Sequence, residues 1–403
     1  MSPAASNPTR SPAAPLQGVR VLDLGQYIAG PGAAMVLGEL GADVVKVEPL
    51  AGDQARHIGR YGESMVNAHN RGKRSIALDL KSEAGREIAL RLIADSDVVI
   101  QNLRPGVVEK LGIGPAEVRA RHPRVIYLSI SGFGSNTPSA ERPGYDIAAQ
   151  AESGLMSVTG EPDGLPQKVG VPVVDAAAAH LGAQAVLAAL YGRERSGVGE
   201  TLEVSLLETA LHLQGATWCE YLAGGPEPTR IGNGQPHNAP AADVVATRDG
   251  HIVLSAYAED HWRRFCRAIG REALASDPRF CSNARRVAHR SELRAVLSDC
   301  LSAYSTEECV ELLSRHQIVV GAVRRYRDVL AGADLAASGI LVDAASPDGR
   351  SYRALGLPYR LGDAPRAAPA AAPTCGADSI ALLSEAGYSE ADIAALRDNR
   401  VIA

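Results

Sequence analysis

From Gly18 onward, short runs of β-branched residues alternate with helical stretches: VRVLDLG, PGAAMVLGELG and ADVVKVEP, then SEAGREIALRLIADS, DVVIQNL, a second helical segment and RVIYLSISGFG. Alternation of this kind folds into βαβ units with a parallel sheet and right-handed crossovers. The first half is therefore expected to be α/β. In such sheets ligands sit beyond the carboxyl ends of the strands. Here those ends are the segments 25–31, 48–52, 102–106 and 131–136.

The pattern changes in the second half. Residues 192–222 read as a polar turn, a short strand (TLEVS) and a helix, after which GGPEPTRIGNGQPHNAPA marks a boundary or a functional loop. ADVVATRDGHIVLSAY predicts a hairpin around Arg248, Asp249 and Gly250. Amphipathic helices such as WRRFCRAIG and SELRAVLSDCLSAYS follow. An extended segment (YRALGLPYRLG), a Pro/Ala-rich linker at 364–374 and a helical tail from Asp378 complete the chain. The expected layout is a disordered leader at 1–16, a large α/β domain at 17–224, a smaller α+β domain at 225–330, and a return linker with the C-terminal part of the large domain at 331–403.

With 403 residues, 46% of them apolar, the chain can bury the cores of two or three domains. A net charge of −5 argues against nucleic acid or an anionic membrane as a partner held by charge. The six cysteines show no C-x-x-C spacing, so they are read as reduced thiols without a metal site. The leader MSPAASNPTRSPAAP lacks the apolar core of a secretory signal, and a cytoplasmic location is expected. The apolar stretch VGVPVVDAAAAHLGAQAVLAALY approaches membrane-span length, but Asp175, His180 and Gln184 interrupt it, which favours a buried core helix.

Asp175 stands where a strand-like run gives way to alanines and leucines. As a helix N-cap it would accept the free N–H groups of the first turn; as a ligand-facing carboxylate at the positive end of a helix it could act as a nucleophile. The first βα turn, GQYIAGPGA, lacks the G-x-G-x-x-G spacing of a pyrophosphate site, so NAD is not expected. His180 lies about 140° around the helix from Asp175, a poor disposition for an acid–base pair. Arg71, Lys73, Arg74, Arg104 and Lys110 lie near predicted turns or helix starts, where cations could meet phosphates.

The succession VRVLDLGQYIAGPGAAMVLGELGADVVKVE, NRGKRSIALDLKS, DVVIQNLRPGVVEKLG, PRVIYLSISGFG and RPGYDIAAQAESGLMSVTG, followed by Asp175 and its alanines and then RIGNGQPHNAPA and DPRF, resembles the family III CoA-transferases. The resemblance implies a Rossmann-like large domain with a smaller α+β domain in an interlocked homodimer, coenzyme A and acyl-CoA as substrates, a small carboxylic acid as the other partner, and no metal. It implies that Asp175 attacks the thioester and forms an aspartyl mixed anhydride and then an aspartyl-CoA thioester. It places Gln26, Tyr27, Ile28 and Ala29 along the adenine and pantetheine, Lys73 and Lys110 near the phosphates, and Asn102 and Leu103 beside the nucleotide; Arg71 and Arg104, cations near predicted turns, are assigned to the same CoA site. Tyr145, Arg60, Tyr61, Gly234 and His237 fall to the acyl pocket. Lys110 and Ser131 stand where a family member has Arg and Lys, so the phosphate contacts are expected to be rearranged.

The same family contains α-methylacyl-CoA racemases, whose catalytic histidine falls in a G-H-D segment. This chain has Gly144, Tyr145 and Asp146 there, and tyrosine is far the weaker base near neutral pH. Transfer is therefore favoured over racemisation, and over a CoA-binding homologue without turnover because Asp175 is in place. Oxalate-handling members carry four glycines where this chain has IGNGQPHNAP, which argues against oxalate as the substrate.

Overall fold

The computed structural model describes residues 14–234, 241–256, 258–345, 349–362 and 368–403. They fall into two compact units. One comprises the described residues within Met1–Ser153, Gly170–Gly215 and Ala337–Ala403, the other those within Gly154–Val169 and Ala216–Ala336. The division differs from the expected layout: residues 154–169 leave the first unit, and the second unit starts at Ala216 and ends at Ala336.

In the first unit, chain order runs β1 (Arg20–Asp23), α1 (Ala29–Glu39), β2 (Asp43–Glu48), α2 (Gly59–His69), β3 (Arg74–Ala77), α3 (Glu83–Ala94), β4 (Val98–Gln101), α4 (Val107–Lys110), α5 (Pro115–Arg121), β5 (Ile126–Ser131) and α6 (Asp146–Glu152). After α7 (Leu155–Val158), which belongs to the second unit, come α8 (Val173–Ser196), β6 (Thr201–Ser205) and α9 (Leu206–His212). The six strands form one parallel sheet in the order β3-β2-β1-β4-β5-β6. This is the doubly wound order in which connections leave β1 and β4 in opposite directions and open a crevice between them.

Side chains alternate across the sheet, as the two-residue period of a strand requires. Ile126, Leu128 and Ile130 join Val21, Ile100 and residues of α1 and α8 in one core. Tyr127 joins Leu22, Val99, residues of α3 and the C-terminal Leu382, Leu383 and Ile393 in the other. Burial on both faces explains why these strands read as continuous apolar runs.

Helix α8 buries Ala178, Ala179, Gly182, Ala183, Val186 and Leu190 and packs against α1. It is long and apolar enough to cross a membrane, yet its apolar face lies in this core. The two helices approach closely: a Cβ at Gly32 would sit 2.9 Å from that of Ala179. The helix starts at Val173, two residues before the expected cap position, so Asp175 is the third residue of the first turn and not the N-cap. The preceding VPVV run is not a strand among the described residues.

The C-terminal part of the first unit adds an antiparallel pair, β10 (Leu341–Ala345) and β11 (Ser351–Leu355), and helices Ser379–Glu385 and Glu390–Asp398. Asp378 accepts the N–H of Ser75 at 2.8 Å, joining this segment to β3.

The second unit is α+β. Strands β7 (Ala242–Ala246), β8 (His251–Ser255) and β9 (Val319–Ala322) form an antiparallel sheet, and the hairpin expected around Asp249 joins the first two. Its core gathers Val245, Ile252 and Leu254 from the strands, Trp262, Phe265, Leu293, Leu297, Leu301 and Leu313 from amphipathic helices, and Phe280 from a turn.

Candidate active site

A cavity of about 310 Å³ opens at the carboxyl ends of β1, β4 and β5, where the sheet order reverses. Its walls carry Gln26, Tyr27, Ile28 and Ala29 after β1, Asn102, Leu103 and Arg104 after β4, Ser131 and Gly132 after β5, then Arg142, Tyr145 and Asp175.

The β1–α1 turn is held from below by buried charges. Asp23 accepts the N–H of Gly25 at 2.8 Å, and Lys46 Nζ donates to the Gly25 carbonyl at 2.7 Å. Lys46 lies 3.0 Å from Asp53, and Asp53 accepts the N–H of Tyr27 at 3.2 Å. Lys73 Nζ donates to Asp23 at 2.7 Å, to the Pro31 carbonyl at 2.8 Å and to Asn70 at 2.9 Å. These ions are almost wholly buried, so each requires such partners. Burial and the neighbouring Lys46 pull the Lys73 ammonium down to about 8 despite Asp23. For Lys46 burial acts the same way, but Asp23, Asp53 and Glu48 outweigh it and raise the pKa.

From above, Asn102 clasps the same turn. Its Oδ1 accepts the N–H of Gln26 at 2.7 Å, and its Nδ2 donates to the Gln26 carbonyl at 2.9 Å. Tyr27 adopts a left-handed backbone at φ 63°, a strained conformation for a bulky residue. Its hydroxyl donates to Gln54 at 2.7 Å and its ring meets Tyr145 edge-on, centroids 5.7 Å apart.

Asp175 faces this cavity half-buried, and among the described lining residues it is the one carboxylate. Burial, and then the charge of Asp146, push its acid up to about 7. Asp146 Oδ2 accepts the N–H of Val174 at 2.7 Å and of Asp175 at 3.2 Å. The capping task assigned to Asp175 is thus performed by Asp146, because Pro172 before the helix offers no side-chain cap.

The CoA-transferase family III profile matches residues 16–379. The chain belongs to the family III CoA-transferases. It is 35% identical over 389 residues to the succinate–glutarate CoA-transferase of Agrobacterium fabrum, covering 94% of this chain and 96% of that one. It is 38% identical over 344 residues to a probable fatty acyl-CoA transferase of Mycobacterium tuberculosis, covering 80% and 86%. The crystal structure of a CaiB/BaiF family protein from Brucella suis superposes with a TM-score of 0.84 at 33% identity, covering 93% of this chain and all of that one.

In this family III CoA-transferase the structure brings together Gln26, Tyr27, Ile28, Ala29, Asn102, Leu103, Arg104, Tyr145 and Asp175 from the residues singled out in the sequence. Others lie elsewhere. Lys73 is enclosed by Asp23, Asn70 and Pro31 and lines no part of this cavity. Arg71 is buried against Glu39 and the Ala68 carbonyl and lines a different cavity. Arg74 is paired with Asp43 and Glu385. Lys110, Arg60 and Tyr61 are exposed on α4 and α2 outside the lining. Gly234 lies in the second unit, against Arg290 and Asp243, and His237 lies outside the described residues.

Sequence reasoning did not single out Gln54, Arg142 or Asp146. Asp146 was legible only as the end of the Gly144-Tyr145-Asp146 segment, an acid at the first position of a short helix. Arg142 stacks over Phe133 and pairs with Glu152. Among the described residues no group of three or more His, Cys, Asp or Glu is placed to hold a metal ion.

Proposed function

We propose that this enzyme moves CoA from an acyl-CoA to a free carboxylic acid through covalent intermediates on Asp175. The observation that carries the reading is Asp175 on the cavity wall, the one carboxylate among the described lining residues, at the strand ends where an α/β sheet binds its ligands. An Asp175 oxygen attacks the thioester carbonyl, the C–S bond breaks, and its electron pair leaves with sulfur as the CoA thiolate. The thiolate attacks the aspartyl γ-carbonyl of the mixed anhydride, the bridging C–O bond breaks, and the donor acid departs as carboxylate. The acceptor carboxylate then attacks the aspartyl-CoA thioester, and the same steps in reverse deliver the new acyl-CoA and free Asp175. No oxidant, nucleotide or metal is needed for the balance. An acid is required at this position because a mixed anhydride conserves the activation of the thioester.

The turn 26–29 and the Asn102–Arg104 segment are assigned to CoA, with Arg104, exposed at the cavity, as the cation nearest at hand for phosphate. Short dicarboxylic acids of the succinate and glutarate class are the proposed substrates, supported by the Agrobacterium fabrum relative. A homodimer belongs to the same reading: Tyr191 and Leu361 in the first unit, and Leu222 and Tyr326 in the second, expose apolar surface in the single chain. A transfer assay across donors and acids tests the substrate assignment. Turnover of succinyl-CoA with glutarate well above that with monocarboxylates is expected, and transfer confined to long monocarboxylic acids would overturn it.

A further inference from the structure

A second acid beside Asp175, the one that caps α8, takes no part in the steps written above. Asp146, 8% exposed, opens α6 and turns its carboxylate toward the start of α8. Besides the N–H groups of Val174 and Asp175, it accepts the side-chain amide of Gln150 at 2.5 Å. The first turn of a helix leaves its N–H groups without intrahelical partners, and here two of them are served from 28 and 29 residues away. The pair is asymmetric. Three donors point at Asp146, and among the described residues none points at the side chain of Asp175. Asp175 therefore has no donor among them to stabilise its charged form.

We propose that Asp146 is a positioning residue for the nucleophile: it fixes the first turn of α8 so that Asp175 faces the cavity, and its charge makes the Asp175 carboxylate a stronger nucleophile. This rests on the reading of Asp175 given above. A carboxylate beside a fixed negative charge holds its proton more tightly, and greater basicity strengthens attack on the thioester carbonyl, while the fraction ionised near neutrality falls. The upward shift of Asp175, caused by burial first and by Asp146 second, accords with this.

The other charged groups near this first turn are accounted for. Arg104, Arg142, Tyr27 and Tyr145 share the cavity wall, and Arg142 is taken up by Glu152. On the elements packed against α8, Glu39 of α1 pairs with Arg71, Glu208 of α9 is bonded to Ser205, and Glu203 of β6 to Ser135. His212 of α9 and His180 of α8 itself are exposed.

The test is the pH dependence of single-turnover adduct formation, with acyl-CoA mixed into the full enzyme without acceptor acid and the Asp175 peptide followed by mass spectrometry. In the wild type the rate is expected to fall as pH drops through about 7; a fall only in the ordinary carboxylate range would overturn the proposal without any variant. Asp146→Asn keeps an oxygen for the two N–H groups and removes the charge. Its limb is expected to move down by about one pH unit, stopping short of the ordinary range because burial remains, with the plateau rate reduced several-fold. An unmoved limb in a folded Asp146→Asn enzyme would overturn the proposal while leaving the adduct on Asp175. Absence of any adduct on Asp175 in the wild type would instead refute the nucleophilic reading.

Discussion

Asn102 closes a two-bond clasp on the backbone of Gln26, accepting its N–H at 2.7 Å and donating to its carbonyl at 2.9 Å. The clasp ties the loop after β4 to the turn after β1, the two segments that leave the sheet in opposite directions. Replacing Asn102 with Ala removes both bonds and should cost about 1–2 kcal/mol of stability. A loosened turn binds ligand less well without touching the reacting atoms, so the KM for acyl-CoA should rise roughly tenfold with kcat within about twofold. Steady-state kinetics with a urea unfolding curve checks both.

Lys73 and Asp23 form a buried ion pair at 2.7 Å. Lys73→Met leaves Asp23 with Lys46 at 4.0 Å as its remaining cation, and should destabilise the fold by about 3 kcal/mol. The salt dependence of KM for acyl-CoA should be unchanged, since no phosphate contact is lost. A phosphate ligand would behave in the opposite way, with a weakened salt dependence and an intact urea midpoint.

Asp175 should lower stability at the pH where it works. Its acid lies near 7 when folded, raised chiefly by burial and then by Asp146, against an ordinary carboxylate value when unfolded. Between those two values the folded state holds the extra proton, so stability falls as pH rises from about 4 to 7 and stays low above. Asp175→Asn removes this penalty. Allowing for partial solvation of the side chain, the variant should exceed the wild type by about 1–2 kcal/mol at pH 8, with the difference vanishing near pH 4. Urea midpoints across that range provide the measurement.

The parallel sheet and the strand ends that form the cavity were legible because the β-branched runs recur with crossover helices between them, and the place of Asp175 was legible because one acid interrupts an apolar run. What failed to show was pairing across sequence distance. Lys73 reads as a cation after a turn, and nothing local reveals that Asp23, fifty residues earlier, takes it. Asp175 reads as a cap because Asp commonly caps helices, whereas the helix begins at Val173 and its cap comes from Asp146. The β-branched VPVV run favoured a strand until tertiary packing against α1 decided otherwise.

In the proposed mechanism CoA passes through a covalent bond to Asp175. The most direct measurement incubates the wild type with an active acyl-CoA in the absence of acceptor acid, quenches in acid, and maps the modified peptide by mass spectrometry, with hydroxylamine as a parallel trap. The CoA adduct, or its hydroxamate, is expected on the peptide containing Asp175, and none in a folded Asp175→Asn enzyme that still binds CoA. An adduct on another peptide, or near-normal turnover by Asp175→Asn after deamidation back to Asp has been excluded, would contradict the mechanism.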